Sequence, residues 1–335
     1  MSQGFPREFV RQLPKAELHV HLEGTVDAST LLALAERHGV EPPAPSEAAI
    51  DEWYRFDDFP MFLERYFAVL ALLRDPEDFA FIAQRYLETA HEQGVVHVEF
   101  HVSACGHIVE NGKPWKPILD GIVAGCSAAE QATGISWGLI PDISPHLPAA
   151  QCSTAIDEVL AADLTHVLAI GMGGPADTWT TDDFASIFDR ARAAGVRGVS
   201  HAGEHGGADE VIFAIEQFGA ERVQHGIGAM QDAAAVELLL ERDIACDVCP
   251  GSNLALKAVA KPQDHPLAAM LDAGITVTLG TDDPPMFQTN LLDEYERAWD
   301  WCNLDEQALA MLAQNSIVRS FASDDRKQRW LAQLP

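Results

Sequence analysis

The chain has 335 residues, of which 47% are apolar and 22% charged, the balance of a globular protein with a large core. Its 22 basic side chains face 51 acidic ones, a formal net charge of −29. Such a surface repels nucleic acid and anionic lipid, and no basic stripe offsets it, so neither is an expected partner. No window of about 18 uncharged apolar residues could span a membrane. The opening "MSQGFPREFVRQLPK" has no apolar signal core, which leaves a cytoplasmic protein as the expectation. Six cysteines in a chain of this length do not form a disulfide framework, and the lone CxxC of Cys246 and Cys249 reads as packing.

The first predicted strand is "AELHVHLEG", residues 16–24. Leu18, Val20 and Leu22 alternate with Glu17, His19, His21 and Glu23, so one face is apolar and the other wholly ionisable. A strand buried on both faces of a parallel sheet would instead read as a continuous apolar run. The alternation places both imidazoles on one side, where they can reach one metal ion. Seven further β-like runs follow, beginning at Val95, Ile135, His166, Val196, Arg222, Ile244 and Ile275. Helical patterns separate them, among them "TDDFASIFDRARAAG" from Thr181, with a capping threonine and a terminal glycine, and "DAAAVELLLERD" from Asp232. Eight alternations of strand and helix predict a single α/β domain, a (β/α)8 TIM-type barrel over residues 1–335. A helical insertion over about 25–94 follows the first strand and contains "WYRFDDFPMFLERYF". It lies at the C-terminal mouth, where it can serve as a lid, as a local core, or as both. "LDEQALAMLAQNSIVRSFAS" reads as a closing helix.

Active residues of such barrels gather at the C-terminal ends of the strands. There stand His19 and His21 on the first run, His201 and Glu204 on the fifth, His225 on the sixth, and Asp282 and Asp283 on the eighth. Three imidazoles and a carboxylate suit Zn2+, and an open position would lower the pKa of a bound water to about 7. Asp282 and Asp283, on an extended chain, would face opposite sides. Glu17 reads as an interior hydrogen-bonding group and Lys15 as an ion-pair or positioning residue. His101 and His107 are minor candidates for substrate contact.

Together "PKAELHVHLEGT", "HAGE", the "HG" after a strand and "TDDP" resemble the adenosine and adenine deaminases of the metal-dependent amidohydrolase superfamily, in order from Pro14 to about Tyr295. The resemblance implies one zinc ion per chain on His19, His21, His201 and Asp282. It implies that Glu204 protonates N1 of a purine, that His225 orients or deprotonates the attacking water, that Asp283 bonds N7, and that a backbone N–H of "GMGG", that of Gly174, bonds N3. The implied reaction is hydrolytic deamination of a 6-aminopurine, by an enzyme acting on C–N bonds.

Which purine is turned over is less sharply marked. "HLEG" replaces the ribose-binding aspartate of the adenosine enzymes by Glu23, which would touch the substrate or brace the loop. "GMGGPADTW" matches neither the adenine branch nor the adenosine branch. Room left by Gly173 and Gly174 favours a nucleoside over adenine, with 6-aminodeoxyfutalosine a further alternative. A binuclear amidohydrolase would need a lysine in "HVLAIGMGG", and none is there. A non-catalytic zinc- or purine-binding barrel is the alternative of another class. A homo-oligomer is compatible with the sequence.

Overall fold

The computed structural model describes residues 4–174 and 182–335. Eight parallel strands pair in sequence order: β1 Lys15–His21, β2 Val95–Val102, β3 Ser136–Ile143, β4 Ala169–Met172, β5 Arg197–Ala202, β6 Arg222–His225, β7 Ala245–Val248 and β8 Val277–Leu279. The fold is the expected (β/α)8 barrel, because each amphipathic helix packs its apolar stripe on the outside of a strand. The predicted threonine cap at 181 lies outside the described residues; its helix runs Asp182–Ala193.

The seam between β8 and β1 is short. A single bridge, Val20 with Asp282, joins them, through His21 N–H to Asp282 C=O at 2.9 Å and Asp282 N–H to His19 C=O at 3.0 Å. The residues that close the barrel are therefore those nominated as metal ligands. Below this seam the helix Glu306–Arg319 substitutes for missing strand pairing: Ser316 Oγ accepts from Ala16 N–H at 2.8 Å, and Asn315 Nδ2 donates to Val277 C=O at 3.1 Å.

Helices Ala28–His38, Glu47–Trp53, Phe59–Leu72 and Pro76–Glu92 make up the insertion after β1. Its aromatic residues pack on one another and also face the barrel mouth. Phe56 packs on Phe62 and Phe287, forming a local core, while Phe59, Phe62, Tyr66 and Phe67 line the cavity at the barrel mouth. No helix among the described residues is long and apolar enough to cross a membrane.

The barrel interior is polar through most of its depth. Arg222, 1% exposed, donates to Glu99 Oε2 at 2.6 Å and to Asp247 Oδ2 at 2.8 Å, and its guanidinium stacks on Phe321 at the barrel floor. Burial raises the carboxyl pKa of Glu99, but the Arg222 charge and His97 outweigh it and bring it down to about 2. Glu17 accepts from Tyr86 and Thr281, the interior hydrogen-bonding place expected of it. Lys15 donates to the carbonyls of Val10 and Leu13 and pairs with no carboxylate among the described residues. Arg222→Met leaves two buried carboxylates without their cation and should cost about 3–5 kcal/mol. Urea unfolding checks this; a loss under about 1 kcal/mol would show that the network relaxes freely.

Candidate metal centre and active site

His19 lies at a register slip of β1 against β2, where Leu18 and His19 oppose the single residue Glu99, a bulge that re-aims the side chains. His19 Nδ1 lies 2.9 Å from the carbonyl of Asp247, and His201 Nδ1 lies 2.8 Å from that of Met172. A carbonyl only accepts, so each Nδ1 carries the proton and each neutral ring presents a lone pair at Nε2. Burial, first, and the neighbouring imidazoles push both pKa values down to about 3, so the rings are neutral.

The two Nε2 lone pairs nevertheless lie 3.1 Å apart, and His21 Nε2 is 3.2 Å from that of His201. Asp282 Oδ1 is 3.3 Å from His21 Nε2 and 3.8 Å from His19 Nε2. Zinc bonds of about 2.0–2.1 Å set the donors of a five-coordinate ion roughly 2.9–3.6 Å apart, so His19, His21, His201 and Asp282 could hold the ion and leave a position for water. Facing lone pairs at this distance repel unless a cation lies between them. Ser252 Oγ donates to Asp282 Oδ2 at 2.6 Å and leaves Oδ1 for the metal.

Asp282 does not sit on an extended chain as expected. Its φ is +63°, in the left-handed region that non-glycine residues rarely occupy, and His225 has φ +61°. The strain turns the Asp282 carboxylate onto the metal site while Asp283 lines the cavity. Glu204 stands across from it, its Oε2 3.5 Å from His225 Nε2. Burial first, then Asp282 and Glu210, hold the Glu204 pKa well above the ordinary carboxylate value. Burial and Asp282 do the same for Asp283. Both shifts favour the protonated form of the carboxyl. Glu204 Oε1 and Asp283 Oδ1 are buried without hydrogen-bond partners among the described residues.

The cavity has a volume of about 320 Å³, near the lower end of small-molecule sites. His21, His201, Asp282, Glu204, His225, Asp283 and Gly174 all line it. Glu23 does not. It is fully buried behind the wall, accepting from Ser103 N–H and bonded to His107 Nε2, each at 2.9 Å, so it braces the loop. His107 is likewise a brace. His101 is fully buried on Asp142 at 2.9 Å, its ring against those of His19 and His21. Cys246 and Cys249 are buried thiols, pushed up in pKa by that burial.

Several functional positions escape sequence reasoning. A Cβ on Gly173 would lie 2.7 Å from the His201 ring, and one on Gly24 would lie 1.8 Å from Asp283 Oδ1. The glycine of "HLEG" is thus room for an aspartate 259 residues away in sequence, counted from 24 to 283.

The family model for adenosine deaminase matches residues 14–334. The chain belongs to the adenosine deaminase family. It is 34% identical to an adenine deaminase of Streptomyces coelicolor over 98% of this chain and 97% of that one, and 34% identical to one of Rhodospirillum rubrum over 97% of each. Among solved structures it superposes on an adenine deaminase of Arthrobacter aurescens with a TM-score of 0.91, at 34% identity over 96% of this chain and 98% of that one. A zinc-bound amidohydrolase of Burkholderia ambifaria gives 0.87 at 29% identity, covering 97% and 90%. As a member of this family the protein is a hydrolase acting on carbon–nitrogen bonds.

Gly173→Ala should push the His201 ring aside and weaken metal binding about 10–100-fold, the usual cost of disturbing a ligand's support. Competition with a chromogenic chelator reads this directly, and wild-type affinity in the variant would contradict the fit.

Proposed function

We propose that this protein hydrolyses the 6-amino group from an aminopurine, and that the purine is free adenine. The observation that carries the reaction is a carboxyl with a buried, unpartnered oxygen, that of Glu204, set in one cavity with a centre of three imidazoles and a carboxylate. His19, His21, His201 and Asp282 would hold one zinc ion. When bound, zinc makes hydroxide available near neutral pH. Adding oxygen to C6 breaks the ring's conjugation, and the electrons settle on N1 only if N1 takes up a proton. Glu204 delivers that proton; the added hydroxyl then passes its own proton to the 6-amino group, and the C6–N bond breaks to release ammonia as C6=O forms. Asp283, also protonated, donates to the N7 lone pair, and the Gly174 N–H approaches N3. Phe59, Phe62 and Tyr66 cover the ring and exclude bulk water.

The full-length relatives named adenine deaminase support the free base. They also displace the preference for a nucleoside argued from Gly173 and Gly174. Gly173 is small because His201 occupies the space beside it, so it does not signal room for ribose. At another part of the cavity wall stand Glu110 and His146, paired at 3.3 Å. His146 Nδ1 lies 3.9 Å from where a Cβ on Gly174 would be; with Gly174 serving N3, as proposed, the pair would stand beside the purine's N3 and N9 edge. Adenine offers an N9–H to an acceptor there, and a nucleoside offers carbon; a site built for an N–H rejects an analogue without one.

Ammonia release by the zinc-loaded protein from adenine, adenosine, 2′-deoxyadenosine and 6-aminodeoxyfutalosine tests the reading. Adenine should lead in kcat/KM by at least about 100-fold, and a lead by a nucleoside would overturn the substrate. Glu204→Gln should lower kcat by about 10²–10⁴ and keep its zinc. Because the Glu204 pKa is raised and its acid form is needed, wild-type activity falls as pH rises through that pKa. Glu110→Ala should cut the preference for adenine over 9-methyladenine about 10–100-fold; an unchanged ratio removes Glu110 from recognition.

A further inference from the structure

Behind His225 lies a buried chain of hydrogen bonds with a fixed direction. The backbone N–H of Leu267 donates to His265 Nδ1 at 3.1 Å. His265 Nε2 lies 3.2 Å from Asn253 Oδ1, and Asn253 Nδ2 lies 3.0 Å from His225 Nδ1. Asn253 and His225 are fully buried, and His265 is 8% exposed.

A backbone N–H can only donate, so His265 Nδ1 holds a lone pair and the proton of the neutral ring sits on Nε2. That Nε2–H needs an acceptor, which orients the Asn253 amide with its oxygen toward His265. The reverse orientation would set amide N–H against imidazole N–H. The Asn253 NH₂ therefore donates to His225 Nδ1, which accepts. A neutral His225 then has its proton on Nε2, the atom aimed into the site 3.5 Å from Glu204 Oε2 and 3.9 Å from Asp282 Oδ2. This Nε2 has no partner among the described residues.

We infer that Asn253 and His265 are positioning residues that lock His225 in its Nε2–H tautomer, so that His225 serves the attacking oxygen as a hydrogen-bond donor and takes no proton from it. Of the two roles open to His225, orienting and deprotonating the water, the network selects the first. The donor persists as the oxygen joins C6, holding that oxygen in line with the ring carbon while the electrons pass to N1. Asn253 follows the second cysteine of the CxxC, in "CPGSN", and His265 lies 12 residues further on; neither carries a catalytic signal in sequence.

Long-range 1H–15N correlation spectra of the zinc-loaded protein, labelled with 15N-histidine and assigned through His225→Gln, read the tautomer without substrate. His225 should show the Nε2–H pattern. In Asn253→Asp the carboxylate accepts from Nδ1, and the pattern should invert to Nδ1–H. Loss of one preorganised donor should lower kcat about 10²–10³-fold, with KM changed less than about threefold and zinc retained. His265→Gln is the milder second variant, with a mixed tautomer population and an intermediate kcat. An Nδ1–H tautomer in the wild type overturns the inference, as does an unchanged tautomer in both variants. The kinetic arm rests on the proposed aminopurine reaction and the spectroscopic arm does not. A wild type inactive on every purine but showing the Nε2–H pattern fails the former reading alone.

Discussion

Two imidazole nitrogens whose lone pairs face each other at 3.1 Å set the terms for the rest of this molecule. Each ring is barred from rotating by a carbonyl that accepts its other N–H, so the two lone pairs stay turned toward each other. Only a cation between them turns this arrangement from a cost into a binding site. The barrel supplies the carbonyls, because the backbone of β7 at Asp247 and of β4 at Met172 reaches inward where those strands end. It also supplies the fourth donor, by drawing Asp282 into the seam that joins the last strand to the first.

The support below the centre is continuous with it. Asp247 uses its carbonyl for His19 and its carboxylate for Arg222 and Thr278. A residue of β7 thereby couples a metal ligand to the charged layer at the barrel floor. Burying an arginine between two carboxylates is costly unless every donor finds a partner. Here Arg222 also donates to the carbonyl of Arg319, in the helix that covers the floor. The result is a stiff interior in which ligand positions are set by hydrogen bonds as well as by packing, and such stiffness favours preorganised chemistry.

Backbone strain also falls at this place. His225 and Asp282 both hold left-handed φ values, at a cost of order 1–3 kcal/mol each. Left-handed backbone lets a side chain at a strand's end turn back over the barrel mouth instead of continuing the alternation. The neighbouring Gly226, with φ +68°, continues the turn after His225 at low steric cost. Opposite these strained ends, the insertion after β1 brings an aromatic wall whose residues also form that insertion's own core. A covering built in this way excludes water without a separate domain.

Much of this was legible in the chain. The alternation in β1, the order of the eight strands and the placement of His19, His21, His201, Glu204, His225, Asp282 and Asp283 at strand ends follow from local periodicity and from the geometry of a parallel barrel. These properties depend on neighbours in sequence, so the sequence by itself determined them. The brace made by Glu23 with Ser103 and His107 did not follow, because a glutamate beside a histidine pair reads equally well as a ligand contact. Nor did the clearance at Gly24 and Gly173, the left-handed turn at Asp282, or the relay from Leu267 through Asn253 to His225. Each of those depends on how the closed barrel sets groups against one another, some of them hundreds of residues apart. A glycine announces only that a side chain is missing, and an asparagine only that it can both donate and accept. Which neighbour fills the gap, and in which direction the hydrogen bond runs, was decided when the barrel closed and fixed the positions of groups that share no local pattern.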